Sequence, residues 1–580
     1  MIAMDKWQVA RLLEEISRYI ELSEPNPFKA RAFERAARAV EGLETDLAKL
    51  AKSGELTKTS GIGKATGAII EELLQTGTSK YLEELRAQYP PGIFELLRVP
   101  KLGLKKIGIL HSELGIGNLD ELEAAAREGK LAKLKGFGAK TQEMVLAGIK
   151  FARQRESRYL LPTGIEVAES VREQLAGIAG IEDAEIAGSI RRRLEVVQNV
   201  NIVIATKSTE KVLAAMQKRG IVEGLESIDE RTAKGMTRGD IVVLFHFAAP
   251  DDFGTALLRA TGSTEFIDAF NTRAAKNGYE LREDGLHHNG RHVKTPTEED
   301  AFEKAGLTFV DPERREDGSD LALKKRRKLV ELHDLRGTFH VHTTFSDGRN
   351  SVLEMLSAAR ERDFDYVGLS DHSPTASYAG GLSVERLKEQ HAEIDSHRET
   401  VAPLRVFRGT EADILGDGSI DYDDKTLAKL DFVIASVHSK FNMPKDEMTE
   451  RILNALDNPY VTFLGHLTGR LLLSREGYTM DYERVFEKAG ARGVMIEING
   501  NPNRLDLDWR HVKRALALGV RFSINPDAHS IREYGALLTG TWVARKGGLS
   551  PKEIFNTQPV DAIEAYFAAR KEAARNADRR

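Results

Sequence analysis

Residues 337–348 read GTFHVHTTFSDG. The stretch opens as a short apolar run and sets two imidazoles, His340 and His342, two residues apart. On an extended strand that spacing points both rings to one side. Asp347 follows in a Ser-Asp-Gly turn, which can return its carboxylate to the same rim. Six more apolar runs come after it: YVGLS (366–370), RVFRGT (405–410), FVIAS (432–436), VTFLG (461–465), GVMIEI (493–498) and RFSIN (521–525). Amphipathic helical stretches separate them. Strand and helix in alternation predict parallel strands with right-handed crossovers. Seven such units predict an α/β barrel related to the eightfold one.

In a parallel barrel the C-terminal strand ends share one face, so residues far apart in sequence converge there. The chain has 15 His. Six of them, His340, His342, His372, His438, His466 and His529, fall at or just past the ends of these runs, and Asp347, Glu411 and Asp527 accompany them. Asp527 and His529 in NPDAHS repeat the two-residue spacing. A lone His more often caps a helix or fills a polar core site, but six on separate strand ends with three acids outweigh that. Mixed imidazole and carboxylate suit Zn²⁺, Mn²⁺ or Fe²⁺ rather than Ca²⁺ or an all-oxygen Mg²⁺ site. Nine donors exceed one tetrahedral set and predict two or three ions with a bridging carboxylate. Paired ions stabilise both the attacking and the leaving oxygen of a phosphoester and lower the pKa of the water they hold. His391, His397 and His511 lie in helical stretches and read as surface or packing residues.

HVHTTFSDG, LSDHS, GTEADIL, SVHS, LGHLTGR and NPDAH together resemble the polymerase-and-histidinol-phosphatase (PHP) superfamily, over about residues 335–570. The resemblance implies a distorted (β/α)7 barrel with a trinuclear centre. It implies one ion on His340, His342, Glu411 and Asp527, a second on Asp347, His372 and His529, and a third on His438 and His466 with Glu411 bridging. It implies catalytic roles for His340, His342, Glu411, Asp527 and His529. Arg470 and Arg475, after the fifth run, could contact a nucleic-acid backbone.

The front of the chain differs. Up to about residue 155 the apolar spacing is helical, as in QVARLLEEISRYIEL. Three Gly-centred turns interrupt it: Ser60-Gly61-Ile62-Gly63-Lys64, Lys101-Leu102-Gly103-Leu104-Lys105 and Lys135-Gly136-Phe137-Gly138-Ala139. They resemble helix-hairpin-helix elements, the middle copy lacking its first Gly. Such turns expose backbone N–H groups that can hold a DNA phosphate without reading sequence, and Lys64, Lys105 and Lys140 beside them add charge. From about 160 to 310 a mixed α/β pattern follows, with strand-like IEDAEIAGSIRR, NVNIVIAT and GDIVVLFHF. DPERREDGSDLALKKRRKL then reads as a linker or exposed helix, its KKRRK a solvated face.

GSIRRRLEVVQNVN (188–201) resembles the nucleotidyltransferase motif of X-family DNA polymerases, in which Gly-Ser precedes a strand with two alternating Asp. The whole chain resembles a bacterial X-family DNA polymerase with a C-terminal PHP domain. This implies a multidomain α+β and α/β architecture: a helix-hairpin-helix domain (1–85), fingers (86–155), palm (156–250), thumb (251–315), linker (316–334) and barrel (335–571). The acids expected on the palm strand are Asn199 and Asn201, and the third matching position is Asp240. Mg²⁺ binds carboxylate and phosphate oxygen, and Asn brings no charge, so two-ion polymerase chemistry is expected to be weak or lost. Ala260 replaces an aromatic residue that helps hold the sugar, Ile267 an Asn near the incoming base, and Ile69 the Schiff-base Lys of lyase relatives. A hydrocarbon cannot be an amine nucleophile. Gly188, Ser189 and Arg192 could still grip a phosphate, since backbone N–H and guanidinium need no metal.

The chain has 580 residues, a prior of about four domains. Hydrophobic residues at 41% with charged residues at 30% suit a globular chain rather than a disordered one. There is no apolar run of membrane-spanning length, and MIAMDKWQVARLLEE lacks the layout of a secretory signal. Cys is absent, which excludes disulfides and thiolate ligands and fits a reducing cytoplasm. A net charge of −5 leaves nucleic-acid binding to local features. The expected protein is a cytoplasmic monomer with no membrane partner, acting on gapped, nicked or 3′-ended DNA through a 3′→5′ exonuclease centre, with dNTP as a further ligand if the palm works. A gap-filling polymerase, a phosphatase on a small phosphomonoester and a DNA-end scaffold are the alternatives.

Overall fold

The computed structural model describes residues 6–23, 27–41, 43, 47–99, 102–134, 136–154, 158–237 and 239–577. The chain forms two compact units, residues 1–156 and 157–580.

The first unit is helical. Helices Lys6–Ser23 and Pro27–Glu41 pack through Leu13, Ile16, Ile20, Phe33 and Ala37, all buried. The three Gly turns share one geometry. Each is closed by an amide reaching back three residues, Ile62 to Thr59, Leu102 to Val99 and Phe137 to Leu134. Each then starts a helix on the carbonyl of its last Gly: Gly67 to Gly63, Ile107 to Gly103 and Gln142 to Gly138. Ile62, Leu102 and Phe137 are buried, whereas Lys64, Lys105 and Lys140 are exposed. Gly61 and Gly136 turn with φ of 93° and 89°, a conformation that favours Gly. The middle copy makes the same turn; its Lys101, like Lys135 of the third, lies outside the described residues.

The second unit begins with a five-stranded sheet. Its order is Ile181–Ala187, Asn199–Thr206, Val242–Ala248, Thr232–Met236, Glu223–Ser227. Asn199–Thr206 and Val242–Ala248 run parallel; their neighbours are antiparallel. The strand predicted through GSIRR ends at Ala187, and Gly188–Arg191 is one helical turn. Helices Phe253–Thr261, Thr264–Ala274 and Glu298–Lys304 follow, with a three-stranded meander from Tyr279 to Val293. The polar stretch after 310 contains single helical turns, Pro312–Arg314, Ser319–Ala322 and Leu332–Asp334, and no α-helix. It is fastened down. Arg315 is fully buried against Glu298, and Arg326 pairs with Asp311 over the Phe309 ring.

The last part is a barrel of seven parallel strands in chain order: Gly337–Thr338, Tyr366–Leu369, Arg405–Asp413, Phe432–Ser436, Phe463–Leu464, Met495–Asn499 and Phe522–Asn525. A parallel bridge between Val341 and Ala528 closes the rim. Val352–Arg360, Val384–His397, the single turn Asp424–Leu427, Lys445–Asp457, Tyr482–Arg492 and Trp509–Ala517 are the α-helices between strands. The N-terminal end of the barrel is plugged by Phe339, Tyr366, Phe407, Phe432, Phe463, Phe555 and Phe567. Gly409 lets the Phe432 ring sit on the neighbouring strand, since a Cβ there would stand 2.3 Å from that ring. A dry aromatic floor below leaves the polar groups of the strand ends facing the opposite mouth.

The region around the five-stranded sheet and the barrel are bolted together. Lys546, only 1% exposed, donates to the Arg192 carbonyl at 3.0 Å and pairs with Glu316. Glu195 accepts from Trp509 Nε1 at 3.3 Å and from Arg510 at 2.6 Å, and Arg193 lies 4.2 Å over the Trp542 ring.

Candidate metal centre and palm site

All nine donors picked from the sequence meet at the barrel mouth. Glu411, 1% exposed on the long third strand, is the hub. Its Oε1 stands 2.9 Å from His466 Nε2, 3.2 Å from His438 Nε2 and 3.3 Å from His340 Nε2. Its Oε2 stands 3.0 Å from His372 Nδ1 and 3.7 Å from His342 Nε2. Asp527 Oδ1 lies 3.3 Å from His342 and 3.4 Å from His340. Asp347 Oδ1 lies 3.3 Å from His529 Nε2 and 3.7 Å from His372 Nε2.

The route by which the first two His reach the cluster differs from strand alternation. Regular strand stops at Thr338, and His340 takes a left-handed φ of 62°. Their rings still share a side, 5.2 Å apart, because the Ala528 amide donates to the His340 carbonyl and the His342 amide to the Ala528 carbonyl. His466 (φ 24°) and Asp527 (φ 54°) are also in the positive-φ region. Each such residue costs roughly 1–3 kcal/mol, which persists where the surroundings over-determine it. Three at one mouth mark a site whose geometry is imposed.

The donor set fits cations. His340 Nε2, both nitrogens of His342, His372 Nδ1 and His466 Nδ1 are buried without a hydrogen-bond partner. Buried polar atoms left so are expensive unless something else engages them. Donor atoms within 4.8 Å of one another form four overlapping sets: His342, Asp347, His372, His529; His340, His466, Asp527; His340, His342, Glu411; and His372, Glu411, His438. Relative to the grouping that resemblance implies, His466 falls with His340 and Asp527, and His372 also joins Glu411 and His438. Burial raises the Glu411 and Asp527 carboxyls, but nearby imidazoles, led by His438 and His340 respectively, hold both well below the usual range. Burial, with His529 alongside, pushes His342 down to about 3. Burial also opposes charge on His340, yet Glu497, Asp527 and Glu411 raise it well above its ordinary value. The negative charge that attracts cations therefore also draws protons onto imidazole, and a binding cation displaces them.

Residues outside the predicted set orient these donors. Glu497, fully buried, accepts from His340 Nδ1 at 2.6 Å, from the His466 amide at 2.7 Å, from Asn525 at 3.0 Å and from Asn499 at 3.1 Å. Asp413 meets His438 Nδ1 at 2.7 Å. Such outer carboxylates fix the ring and tautomer of a ligating His. Their signal lay in GVMIEI and GTEADIL: an acid inside an apolar run, and a second acid two residues after Glu411. Arg504 was also missed, and its Nε is 3.5 Å from Asp527 Oδ2. Arg470 and Arg475 do not reach out. Arg470 binds the Arg504 and Leu505 carbonyls and Asp508, while Arg475 binds the Gly469 carbonyl and stacks 3.9 Å over Phe441.

The palm site differs from expectation at two residues. Asn199 and Asn201 do lie on one strand face, with Asn201 Nδ2 donating to Asn199 Oδ1 at 2.8 Å. Asp240 does not join them. It sits in the turn before the neighbouring strand, at φ 59°, with its carbonyl accepting from Tyr159 at 3.2 Å. The register pairs Asn199 with Val242 and Asn201 with Leu244, and His246 reaches Asn201 Oδ1 at 3.0 Å. Asp240 lies two residues before the strand starts at Val242 and four before Leu244, the partner of Asn201. The face opposite the two Asn thus carries Val, Leu and His, and the donors do not fit two Mg²⁺ ions. Arg192 is not a free phosphate grip either: Glu316 pairs with it at 3.0 Å and the Thr261 carbonyl accepts from it at 2.7 Å. Gly188 lies against Asn201, where a Cβ would meet its Nδ2 at 2.6 Å, and the Ser189 carbonyl accepts from the Leu194 amide.

Helical hairpins, a nucleotidyltransferase-type palm and an acid–imidazole barrel define a modular DNA-handling protein. Family models agree: a helix-hairpin-helix domain matches residues 4–79, a SAM-like helix-hairpin-helix tandem 93–150, the DNA polymerase beta thumb 256–316 and the PHP domain 338–501. The chain is 35% identical over 575 residues to the DNA polymerase/3′-5′ exonuclease PolX of Bacillus subtilis (strain 168), covering 97% of this chain and 99% of that one. It is 27% identical over 249 residues to a probable phosphatase of Thermoanaerobacter sp. (strain X514), covering 40% of this chain and 94% of that one. A probable phosphatase of Photobacterium profundum is 29% identical over 213 residues, 34% of this chain and 79% of that one. The chain belongs to the X-family DNA polymerases that carry a PHP domain. Among the described residues no helix is long and apolar enough to cross a membrane.

Proposed function

We propose that this chain is a DNA-end nuclease whose chemistry resides in the barrel, and that its palm no longer polymerises. The observation that carries the reading is the contrast between two sites in one unit: nine converged donors at the barrel mouth, and, among the described residues, no acid on the neighbouring strand opposite Asn199 and Asn201. We read residues 1–85 and 86–155 as DNA-binding, 156–250 and 251–315 as palm and thumb that seat the duplex, and 335–571 as the nuclease. Lys64, Lys105 and Lys140 beside their Gly turns hold the backbone by charge.

The nine donors would hold two or three Mn²⁺ or Zn²⁺ ions, which when bound supply Lewis acidity toward the phosphate and acidify water. The chain's own side chains do the remaining work. Glu497 and Asp413 hold His340 and His438 in their ligating tautomers. Arg504, on the Asp527 side, takes a nonbridging phosphate oxygen. The aromatic floor excludes water from below. Water adds to phosphorus, the bond to the 3′ oxygen of the upstream nucleotide breaks, and a nucleoside 5′-monophosphate leaves.

Incubating a 5′-labelled gapped duplex with wild-type protein and Mn²⁺, with and without dNTPs, tests this. Shortening from the 3′ end, unchanged by dNTPs, is expected. Lengthening with dNTPs would refute the palm half, and intact DNA with phosphate released from histidinol phosphate would move the barrel to the small-molecule phosphatases. A second expected result concerns Glu497. Because its carboxylate meets four donors, Glu497→Gln should weaken Mn²⁺ affinity by about 10–100-fold, read by calorimetric titration, with the thermal unfolding of the second unit, which holds Glu497, followed as the folding control.

A further inference from the structure

One side chain at the barrel mouth has no role in the cluster. Tyr378 is 72% exposed, yet its ring lies 6.4 Å from the His372 ring and 6.5 Å from the His438 ring. It sits on the single turn Ser377–Ala379, whose flanking Ala376 and Ala379 are buried. The core is thus served by the alanines, and the tyrosine is left facing solvent. The loop that carries it is pinned. Ser373 Oγ and the Thr375 amide donate to Asp421 at 2.7 and 3.0 Å. The Gly381 amide returns to the Ala376 carbonyl at 3.1 Å and the Leu382 amide to the His372 carbonyl at 2.8 Å. Arg386 ties the Gly380 carbonyl at 3.2 Å.

An aromatic side chain carried on a pinned loop beside a phosphate-handling cluster suits a flat π partner, because the loop itself need not be ordered when the partner arrives. Nucleobases stack on such faces whatever their identity. The spacing from the two imidazoles is one that the sugar of a single nucleotide can bridge. We propose that Tyr378 is the stacking platform for the base of the 3′-terminal nucleotide, so that the barrel selects a nucleotide end over a base-free phosphoester. This rests on the nuclease reading above and gives it a substrate determinant. Arg504 on the Asp527 side and Tyr378 on the His372 and His438 side then grip the two ends of one nucleotide.

The test compares deoxythymidine 5′-monophosphate with 2-deoxyribose 5-phosphate, each titrated calorimetrically into the full-length protein with Mn²⁺. Wild type should bind the nucleotide about tenfold more tightly than the sugar phosphate. Tyr378→Ala should erase that preference while leaving sugar-phosphate affinity unchanged, and Tyr378→Phe should keep it. Equal binding of both ligands by wild type, or a preference that survives Tyr378→Ala, would overturn the proposal. Loss of both affinities in Tyr378→Ala would assign a structural role instead and overturn it as well. Cleavage of labelled DNA by wild type, scored in parallel, reports on the nuclease reading alone: a nucleotide preference without cleavage would sink that reading and leave the platform standing.

Discussion

His340→Ala/His342→Ala should abolish shortening of labelled DNA, a loss of roughly a thousandfold or more, above the ~10–100-fold of residues that only orient a ligand. Both rings are fully buried, and both stand within 3.4 Å of Asp527 Oδ1. Removing them takes two of the three members from the set they form with Glu411 and leaves the carboxylates facing one another. Glu411→Gln keeps the side-chain shape and should fall as far, because the hub that five imidazoles surround loses its charge. The pair of variants separates chemistry from folding. The alanines open space in the bowl, whereas the Gln does not. Binding of the gapped duplex should survive in both if the first unit supplies the main grip. Retained cleavage in either variant would remove the barrel from the mechanism.

The barrel was legible because its signal is periodic and its chemistry is punctuated. Each run ends on a residue type that an apolar strand end has no structural reason to carry, so His372, His438 and His466 stood out individually and Glu411 stood out inside GTEADIL. What the pattern could not carry is backbone detail. Alternation assigned His340 and His342 to one strand face, and the shared side was right, but the geometry comes from a left-handed residue and a closing bridge to Ala528. Glu497 was hidden for a related reason: within GVMIEI an acid reads as an interruption until its partner, 157 residues away, is known. Arg470 looked available for the same lack of a partner list, and the Arg504 and Leu505 carbonyls and Asp508 engage it. The middle hairpin illustrates the opposite case. Without its first Gly it reads as the poorest copy, yet the Leu102 amide and the buried Leu102 side chain close the same turn.

Asp240 shows why motif position is weaker than register. RGDIVVLF places an acid just before a strand, as a palm strand requires, and sequence spacing alone accepts it. Pairing decides otherwise, because Asn201 faces Leu244 and a slip of four residues moves a carboxylate by more than two rungs of the ladder. Asp240→Ala should therefore leave every activity of the chain unchanged.

That register makes rebuilding the palm a sharp expectation. Wild type should give no primer extension with Mg²⁺ and dNTPs. Asn199→Asp/Asn201→Asp should also give none, since two adjacent acids lack the third that must face them across the sheet. Adding Leu244→Asp places an acid at the level of Asn201, on the face where His246 already reaches Asn201 at 3.0 Å. Asn199, Asn201 and Leu244 are all only half-buried, so three charges there keep solvent contact and the sheet can bear them until Mg²⁺ arrives. Arg192 remains engaged by Glu316, so a fourth change, Glu316→Gln, should be needed to free its guanidinium for a triphosphate. Extension is then expected to rise from nothing measurable in the triple variant to a detectable ladder in the quadruple one, with shortening of the same primer unchanged in the triple variant; Glu316→Gln alone is the control, because it also leaves the buried Lys546 without its partner. Extension by the Asn199→Asp/Asn201→Asp pair alone would show that another acid reaches the site, and its loss on adding Asp240→Ala would identify that acid as Asp240.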